Sequence, residues 1–149
     1  MDKLAAITYY CQYQERCQKE VRNKLYELGS HREEVEELVA KMVELGFVNE
    51  ERYARAIARG KFRMKGWGKQ KIIQALKFDQ ISDYCIKKAL TEIDVDEYNL
   101  TARRLLERKW TELKGEKNVF TKQKKAYSYL IQKGYESSLV QAIIKDLMH

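Results

Sequence analysis

The sequence predicts an all-α protein: an elongated, curved array of three tandem three-helix repeats, nine helices in all. Three observations carry this. Apolar residues recur at three- and four-residue spacing almost throughout, and strand-like alternation is never sustained. The 149 residues include no proline, which leaves long helices uninterrupted, and several of the seven glycines stand where an apolar stripe ends. The pattern also repeats: Leu25, Leu76 and Leu130 occupy equivalent middle-helix positions, 51 and 54 residues apart. After the last two, Cys85–Ile86 and Leu139–Val140 follow at offsets of nine and ten, and Ala89–Leu90 and Ile143–Ile144 at thirteen and fourteen. The first group needs about four extra residues to match, within the length variation of such repeats. A unit this short buries little alone, so neighbours are expected to stack. The repeats are placed at 1–48, 49–93 and 94–149.

The elements follow in order. Lys3 to about Arg16 reads as a helix with Leu4, Ile7, Tyr10 and Cys11 on one face. Cys17–Leu28 follows, with Val21, Leu25 and Leu28 inward, ended by Gly29. Arg32–Leu45 carries the stripe Val35, Leu38, Val39, Met42 and Leu45, ended by Gly46. Asn49 is a capping residue, and Glu50 and Glu51 suit the positive end of the helix dipole. That fourth helix runs to Lys65. At 100° per residue, Tyr53, Ala54, Ile57, Ala58 and Met64 share a sector of roughly 140°, while Arg52, Arg55, Arg59 and Arg63 share a separate sector of roughly 80°. Gly66 breaks it. Gly68 or Lys69 to Phe78 is a fifth helix with Ile72, Ile73 and Leu76 inward. Ser82 caps a sixth that uses Cys85, Ile86, Ala89, Leu90 and Ile93. Asp94 or Asp96 opens a seventh, through Leu113. Gly115–Asn118 is a loop, Thr121 caps an eighth helix ended by Gly134, and Ser137 or Ser138 starts the ninth.

Several function classes are disfavoured. There is no Walker-type phosphate loop, no HExxH and no GxSxG. His31 is the only internal histidine and reads as a solvated turn residue. The acidic run Glu33, Glu34, Glu36, Glu37 reads as a solvated helix start. Cys11 and Cys17, six apart, lie about 240° apart around a helix axis and cannot clasp one ion. No catalytic residue, metal site or cofactor is expected, and the protein is not read as an enzyme. Three cysteines fit reduced thiols, the start MDKLAAITYYCQ lacks a secretory pattern, and no run approaches a membrane span; a cytoplasmic monomer without membrane contact is expected.

Charge is the positive signal. The formal net charge is +7. From Arg52 to Phe78 the chain holds nine basic residues (Arg52, Arg55, Arg59, Lys61, Arg63, Lys65, Lys69, Lys71 and Lys77) and no acidic one. An ordinary solvated face mixes signs, because like charges repel. Trp67 lies inside this run between Gly66 and Gly68. It reads as a packing plug that fixes the angle between two helices and orients the lysines around it. A second basic region follows at Arg103, Arg104, Arg108, Lys109, Lys122, Lys124 and Lys125. The surface is therefore expected to be polarised, with a basic binding face at Arg52, Arg55, Arg59, Arg63, Lys65, Trp67, Lys69 and Lys71. Its partner is a polyanion or an acidic protein surface.

The segments GFVNEERYARAIAR (Gly46–Arg59), KGWGKQKIIQALK (Lys65–Lys77) and ISDYCIKKAL (Ile81–Leu90) resemble the RecX family, regulators of the RecA recombinase. CQKEVRNKLYELG resembles the family's first-unit helix. The likeness is strong over Cys17–Ile93 and looser over Asp94–His149. Asn49–Glu50–Glu51 departs from it where an aspartate is common, which leaves the capping logic intact. The resemblance implies an all-helical array of three three-helix repeats without cofactor. It also implies binding in the groove of RecA filaments on single-stranded DNA, and inhibition or modulation of recombinase, ATPase and coprotease activities. Contact with single- or double-stranded DNA is expected to be weak and not sequence-specific. Two other readings stand beside it. One is a stand-alone nucleic-acid-binding protein with helices five and six as a helix-turn-helix-like pair. The other is a repeat scaffold for another acidic protein.

Overall fold

A computed structural model of the chain describes Asp2–His149. Among the described residues there are nine helices and no strand: α1 (Lys3–Tyr13), α2 (Gln18–Glu27), α3 (Arg32–Glu44), α4 (Glu50–Lys65), α5 (Lys69–Phe78), α6 (Asp83–Leu90), α7 (Val95–Glu112), α8 (Val119–Lys133) and α9 (Ser137–Leu147). No helix is long and apolar enough to cross a membrane.

Most boundaries follow from local capping. Asn49 accepts the Arg52 N–H at 2.9 Å, Ser82 the Cys85 N–H at 3.2 Å and Asp94 the Glu97 N–H at 2.9 Å. Two boundaries differ from expectation. α1 stops at Tyr13 because Gln14 is extended, and the Arg16 guanidinium folds back to donate to the Tyr10 carbonyl at 3.0 Å. α8 begins two residues before Thr121, because Asn118 is the cap and accepts the Thr121 N–H at 3.1 Å. α5 ends on a left-handed residue that is not glycine, Gln80 at φ 63°. The Ile81 N–H donates to the Leu76 carbonyl there, the same six-residue closure seen after α2, α3 and α8.

The chain forms two compact units. The first takes the chain up to Ile57 and adds Leu76–Ala89. Ile7, Cys11, Val21, Leu25, Val35, Val39, Met42 and Val48 form one buried cluster in it, with Tyr10, Leu38 and Phe47 packed against them. Leu4, expected on the inner face of α1, is partly exposed. Tyr53 is buried and donates to Asp79 at 2.7 Å, which satisfies its hydroxyl. Burial pushes the nearby Cys17 thiol up to about 11. All three cysteines are free, and Cys11 and Cys17 are buried.

The second unit comprises Ala58–Ala75 and Leu90–His149. Its buried side chains include Ala58, Phe62, Ile72, Ile93, Tyr98, Ala102, Leu106, Leu130, Tyr135, Val140 and Ile143. α7, α8 and α9 pack against one another in it. The unit division falls within α4 and within α5, not between the triplets of helices. Along α4 the buried side chains accordingly shift round the axis, from Tyr53 and Ala54 to Ala58 and Phe62, by roughly 110°. Met64 returns to the azimuth of Tyr53 at the helix end, where no core meets it, and is 86% exposed. Contrary to the spacing, Met64 is therefore not part of the packing face.

One acid in the first unit is unfavourably placed. Glu50 receives the Gln18 N–H, but its Oε2 is buried without a hydrogen-bond partner. Burial holds its pKa above the ordinary carboxylate value. The native state therefore binds this proton more tightly than the unfolded chain. The charged form costs stability above the folded pKa, and that cost fades as pH falls to the unfolded value. Glu50→Gln is expected to raise the melting temperature at pH 7 by roughly 2–5 °C, with the gain vanishing near pH 4. Thermal melts at both pH values check this; an unchanged or lower melting temperature at pH 7 would refute it.

Candidate basic interface at the Gly-Trp-Gly turn

The basic run does not present its cations equally. Arg52 is tied to Glu15 at 2.7 Å and donates to the carbonyls of Gly46 and Phe47 at 3.0 and 3.3 Å. Arg55 pairs with Glu51 one turn back at 3.0 Å, and Arg59 pairs with Glu92. The acids absent from the run come to it from elsewhere in the fold, or from the turn just before it. Three of the four guanidinium groups of the expected α4 row are thus engaged inside the protein. Among the described residues, no carboxylate lies within ion-pair distance of Arg63, Lys61, Lys65, Lys69 or Lys71.

These uncompensated cations surround Trp67. The Lys61 and Lys71 ammonium groups sit over the indole at 5.0 and 4.6 Å from its centroid. Lys69 lies instead over the Tyr98 ring at 4.9 Å. Partial burial, and then the neighbouring Lys65 charge, hold the Lys61 pKa below its ordinary value. Trp67 is half-buried, and its N–H donates to the Lys61 carbonyl at 3.1 Å. Of Lys65, Lys69 and Lys71, which the sequence suggested it would orient, only Lys71 lies over its ring, and Lys61 joins it there.

The turn is fixed by main-chain contacts to the segment after α8. The Gly68 N–H donates to the Lys133 carbonyl at 2.7 Å and the Gln70 N–H to the Gly134 carbonyl at 2.9 Å. Tyr135 donates its hydroxyl to the Gly66 carbonyl at 2.9 Å, and Lys133 donates to the Lys65 carbonyl at 3.0 Å. The backbones approach so closely that a Cβ on Gly68 would lie 2.3 Å from the Gly134 carbonyl carbon. A Cβ on Gly134, itself at φ 102°, would lie 2.4 Å from the Lys71 Cβ.

Tyr98 completes the clamp. Its hydroxyl accepts the Lys69 N–H at 2.9 Å, at the start of α5, and donates to the Glu136 carboxylate. Its ring stacks obliquely on Tyr135 at 5.0 Å and on Phe62 at 5.9 Å. Burial, and then the Glu136 hydrogen bond, hold the Tyr98 pKa far above the usual phenol range. It is a structural donor, not an acid–base group.

Beside the turn lies an open, mostly polar cleft of about 440 Å³ lined by Phe62, Arg63, Gly66, Glu97, Leu100, Thr101 and Arg104. It brings Arg104, from the second basic region, together with Arg63. Both arginines are legible in the sequence as basic positions, but nothing there signals that they share one cleft. Nor does the sequence single out Tyr98, Lys133, Tyr135 and Glu136 as supports of the turn. The paired glycines Gly68 and Gly134 were the available hint, since each removes a side chain where two backbones meet. Among the described residues no cluster of His, Cys, Asp and Glu is placed to hold a metal ion.

The fold and this turn define an all-helical protein assembled from three-helix repeats, with a cationic surface held on a rigid inter-helix turn. Family models agree on which such protein. Residues 49–90 match the second three-helix domain of RecX, and residues 96–144 match the third. The chain belongs to the RecX family. It is 29% identical over 131 residues to a protein named Regulatory protein RecX from Clostridium perfringens, covering 87% of this chain and 61% of that protein. It therefore spans about three fifths of the length of the Clostridium perfringens relatives it matches. A relative of the same name from Prosthecochloris aestuarii is 25% identical over 139 residues, with 93% of this chain and 89% of that one covered. Among solved structures, the crystal structure of RecX from Lactobacillus salivarius superposes with a TM-score of 0.82 at 26% identity, covering 97% of this chain and 93% of that one. A second, a crystal structure of regulatory protein RecX, gives a TM-score of 0.84 at 25% identity, with 97% and 72% covered.

The clamp makes two substitutions informative. Tyr98→Phe strands the Lys69 N–H and the Glu136 carboxylate, and is expected to cost about 1–3 kcal/mol, the price of a buried polar group left unpaired. Gly68→Ala forces backbone against backbone and is expected to destabilise at least as much. Denaturant unfolding followed by circular dichroism reads both. Wild-type midpoints in the two variants would show that the turn is not held in this way.

Proposed function

We propose that this protein modulates the RecA recombinase by binding in the helical groove of its filament on single-stranded DNA. In this reading it inhibits the recombinase, ATPase and coprotease activities, and so regulates DNA repair and recombination. The observation that carries the reading is the cluster Lys61, Arg63, Lys65, Lys69, Lys71 and Arg104. Among the described residues it forms no ion pair with a carboxylate, Glu97 being the one acid that lines the shared cleft, and it sits on a clamped turn. A like-charged cluster costs stability, and an anionic partner removes that cost. Because the turn is rigid, little conformational freedom is lost on docking. The RecX likeness supports RecA as the partner, and the exposed Met64 between Arg63 and Lys65 adds an apolar contact suited to a protein surface. The same cations make weak, non-sequence-specific contact with DNA phosphates. The protein acts in the bacterial cytoplasm as a monomer and needs no cofactor. Binding is steric and electrostatic, bridging neighbouring recombinase protomers and opposing filament growth.

The internal pairing of Arg52, Arg55 and Arg59 decides which residues test this. Reversing them breaks ion pairs of the fold itself, whereas Arg63 and Lys65 are exposed and unpaired. Arg63→Glu with Lys65→Glu is expected to raise the half-inhibitory concentration in a RecA DNA-dependent ATPase assay tenfold or more, since a charge-assisted contact is worth about 1.5–3 kcal/mol. Lys87→Glu, on the exposed face of α6, is expected to leave inhibition unchanged. A folded Arg63/Lys65 variant that inhibits as well as the wild type would rule out this face.

A further inference from the structure

Among the ten tyrosines, three buried ones contrast with two exposed ones on α1. Tyr53, Tyr98 and Tyr135 are buried and each hydroxyl has a partner. Tyr9 and Tyr13 are 68% and 71% exposed, one helical turn apart on α1, with ring centroids 6.4 Å apart. That separation is near the outer limit for an aromatic pair, so the two rings leave much of their faces to solvent. They flank an open, mostly apolar cleft of about 400 Å³ whose lining also includes Tyr10, Arg16 and Lys24. The Arg16 guanidinium lies over the Tyr10 ring, 3.7 Å from its centroid, and the Lys24 ammonium stands 5.6 Å from the same centroid. Among the described residues no carboxylate is within ion-pair distance of Arg16 or Lys24. The nearby Glu20 is occupied by the Cys17 N–H at 3.0 Å.

We propose that this cleft between α1 and α2 is a binding site for the unpaired bases of a single-stranded nucleic acid. Exposed planar rings stack on the faces of any base, and a cation beside them meets the connecting phosphate. A guanidinium already held over a ring adds a further cationic surface beside the bases. Duplex bases offer no such faces, so the site discriminates single strands from double. A protein partner would use the same tyrosines differently, and the absence of base dependence would reveal it. The site lies outside both segments that match the family models, on different residues from the basic turn, and does not depend on the recombinase reading.

The test uses the purified chain alone, without recombinase. Fluorescence anisotropy compares an oligothymidylate of about twelve nucleotides, a duplex of the same length and an abasic sugar-phosphate strand of the same length, within the usual footprint of single-strand binders. The wild type is expected to bind the oligothymidylate tenfold or more tightly than the abasic strand. Tyr9→Ala with Tyr13→Ala is expected to abolish that preference while leaving duplex binding and the melting temperature unchanged. Tyr9→Phe with Tyr13→Phe is expected to keep it, because stacking needs the ring and not the hydroxyl. The inference is overturned if the alanine variant binds oligothymidylate like the wild type, or if the wild type binds the abasic strand equally well. Because Arg63 and Lys65 are intact in every variant here, failure of this site and failure of the filament reading are separate results.

Discussion

The close approach of two backbones, at Gly68 and Gly134, is the constraint on which the second unit's functional surface depends. Hydrogen bonds from Gly68 and Gln70 to the Lys133 and Gly134 carbonyls need the two chains closer than any side chain permits. Those bonds fix where α5 starts, and hence the direction in which Lys69 and Lys71 leave the helix. Tyr98 then serves two partners with one hydroxyl, the first N–H of α5 and Glu136. Removing these supports frees the turn, and the cations it carries would no longer share one geometry. The glycines flanking Trp67 therefore have different duties. Gly66 takes the left-handed conformation that ends α4, and Gly68 makes room for the backbone of Gly134 and Tyr135.

Electrostatics divides the basic run in a way that its uniform charge conceals. Arg52, Arg55 and Arg59 are held by Glu15, Glu51 and Glu92 and brace the fold. The lysines near Trp67 and Arg63 have no such acids. Burial and the Lys65 charge both disfavour the protonated form of Lys61, in keeping with a site that lacks a carboxylate to offset them. Indole faces supply part of the compensation for Lys61 and Lys71, at a strength of order 1 kcal/mol each.

Much of the fold was legible because it rests on local signals. Helical periodicity, the caps at Asn49, Ser82 and Asp94, and the stops at Gly29, Gly46, Gly66 and Gly134 all depend on residues a few positions apart. The misses share the opposite origin. Gln80 adopts a left-handed conformation that its side chain does not advertise, because the closure of Ile81 onto Leu76 decides it. Arg16 terminates α1 by reaching back to Tyr10, against a periodicity that would continue the helix. Met64 keeps the spacing of a core residue after the core has moved round the helix. At the candidate site, the residue types and the turn were readable. The partners of Arg52 and Arg59 lie 37 and 33 residues away and were not.

The aromatic residues show how one chemistry is split by burial. A phenol taken out of water needs a hydrogen-bond partner, and Tyr53, Tyr98 and Tyr135 each donate to an oxygen that also fixes a neighbouring element. Each of those rings packs inside its own unit. Tyr9 and Tyr13 bury little area and anchor nothing, so folding gives no reason for their position. Trp67 stands between these cases: half its surface packs against the turn and half faces two ammonium groups. In each unit, then, a partly or largely exposed aromatic group stands beside cations that form no ion pair among the described residues: Tyr9 and Tyr13 beside Arg16 and Lys24, and Trp67 beside Lys61 and Lys71.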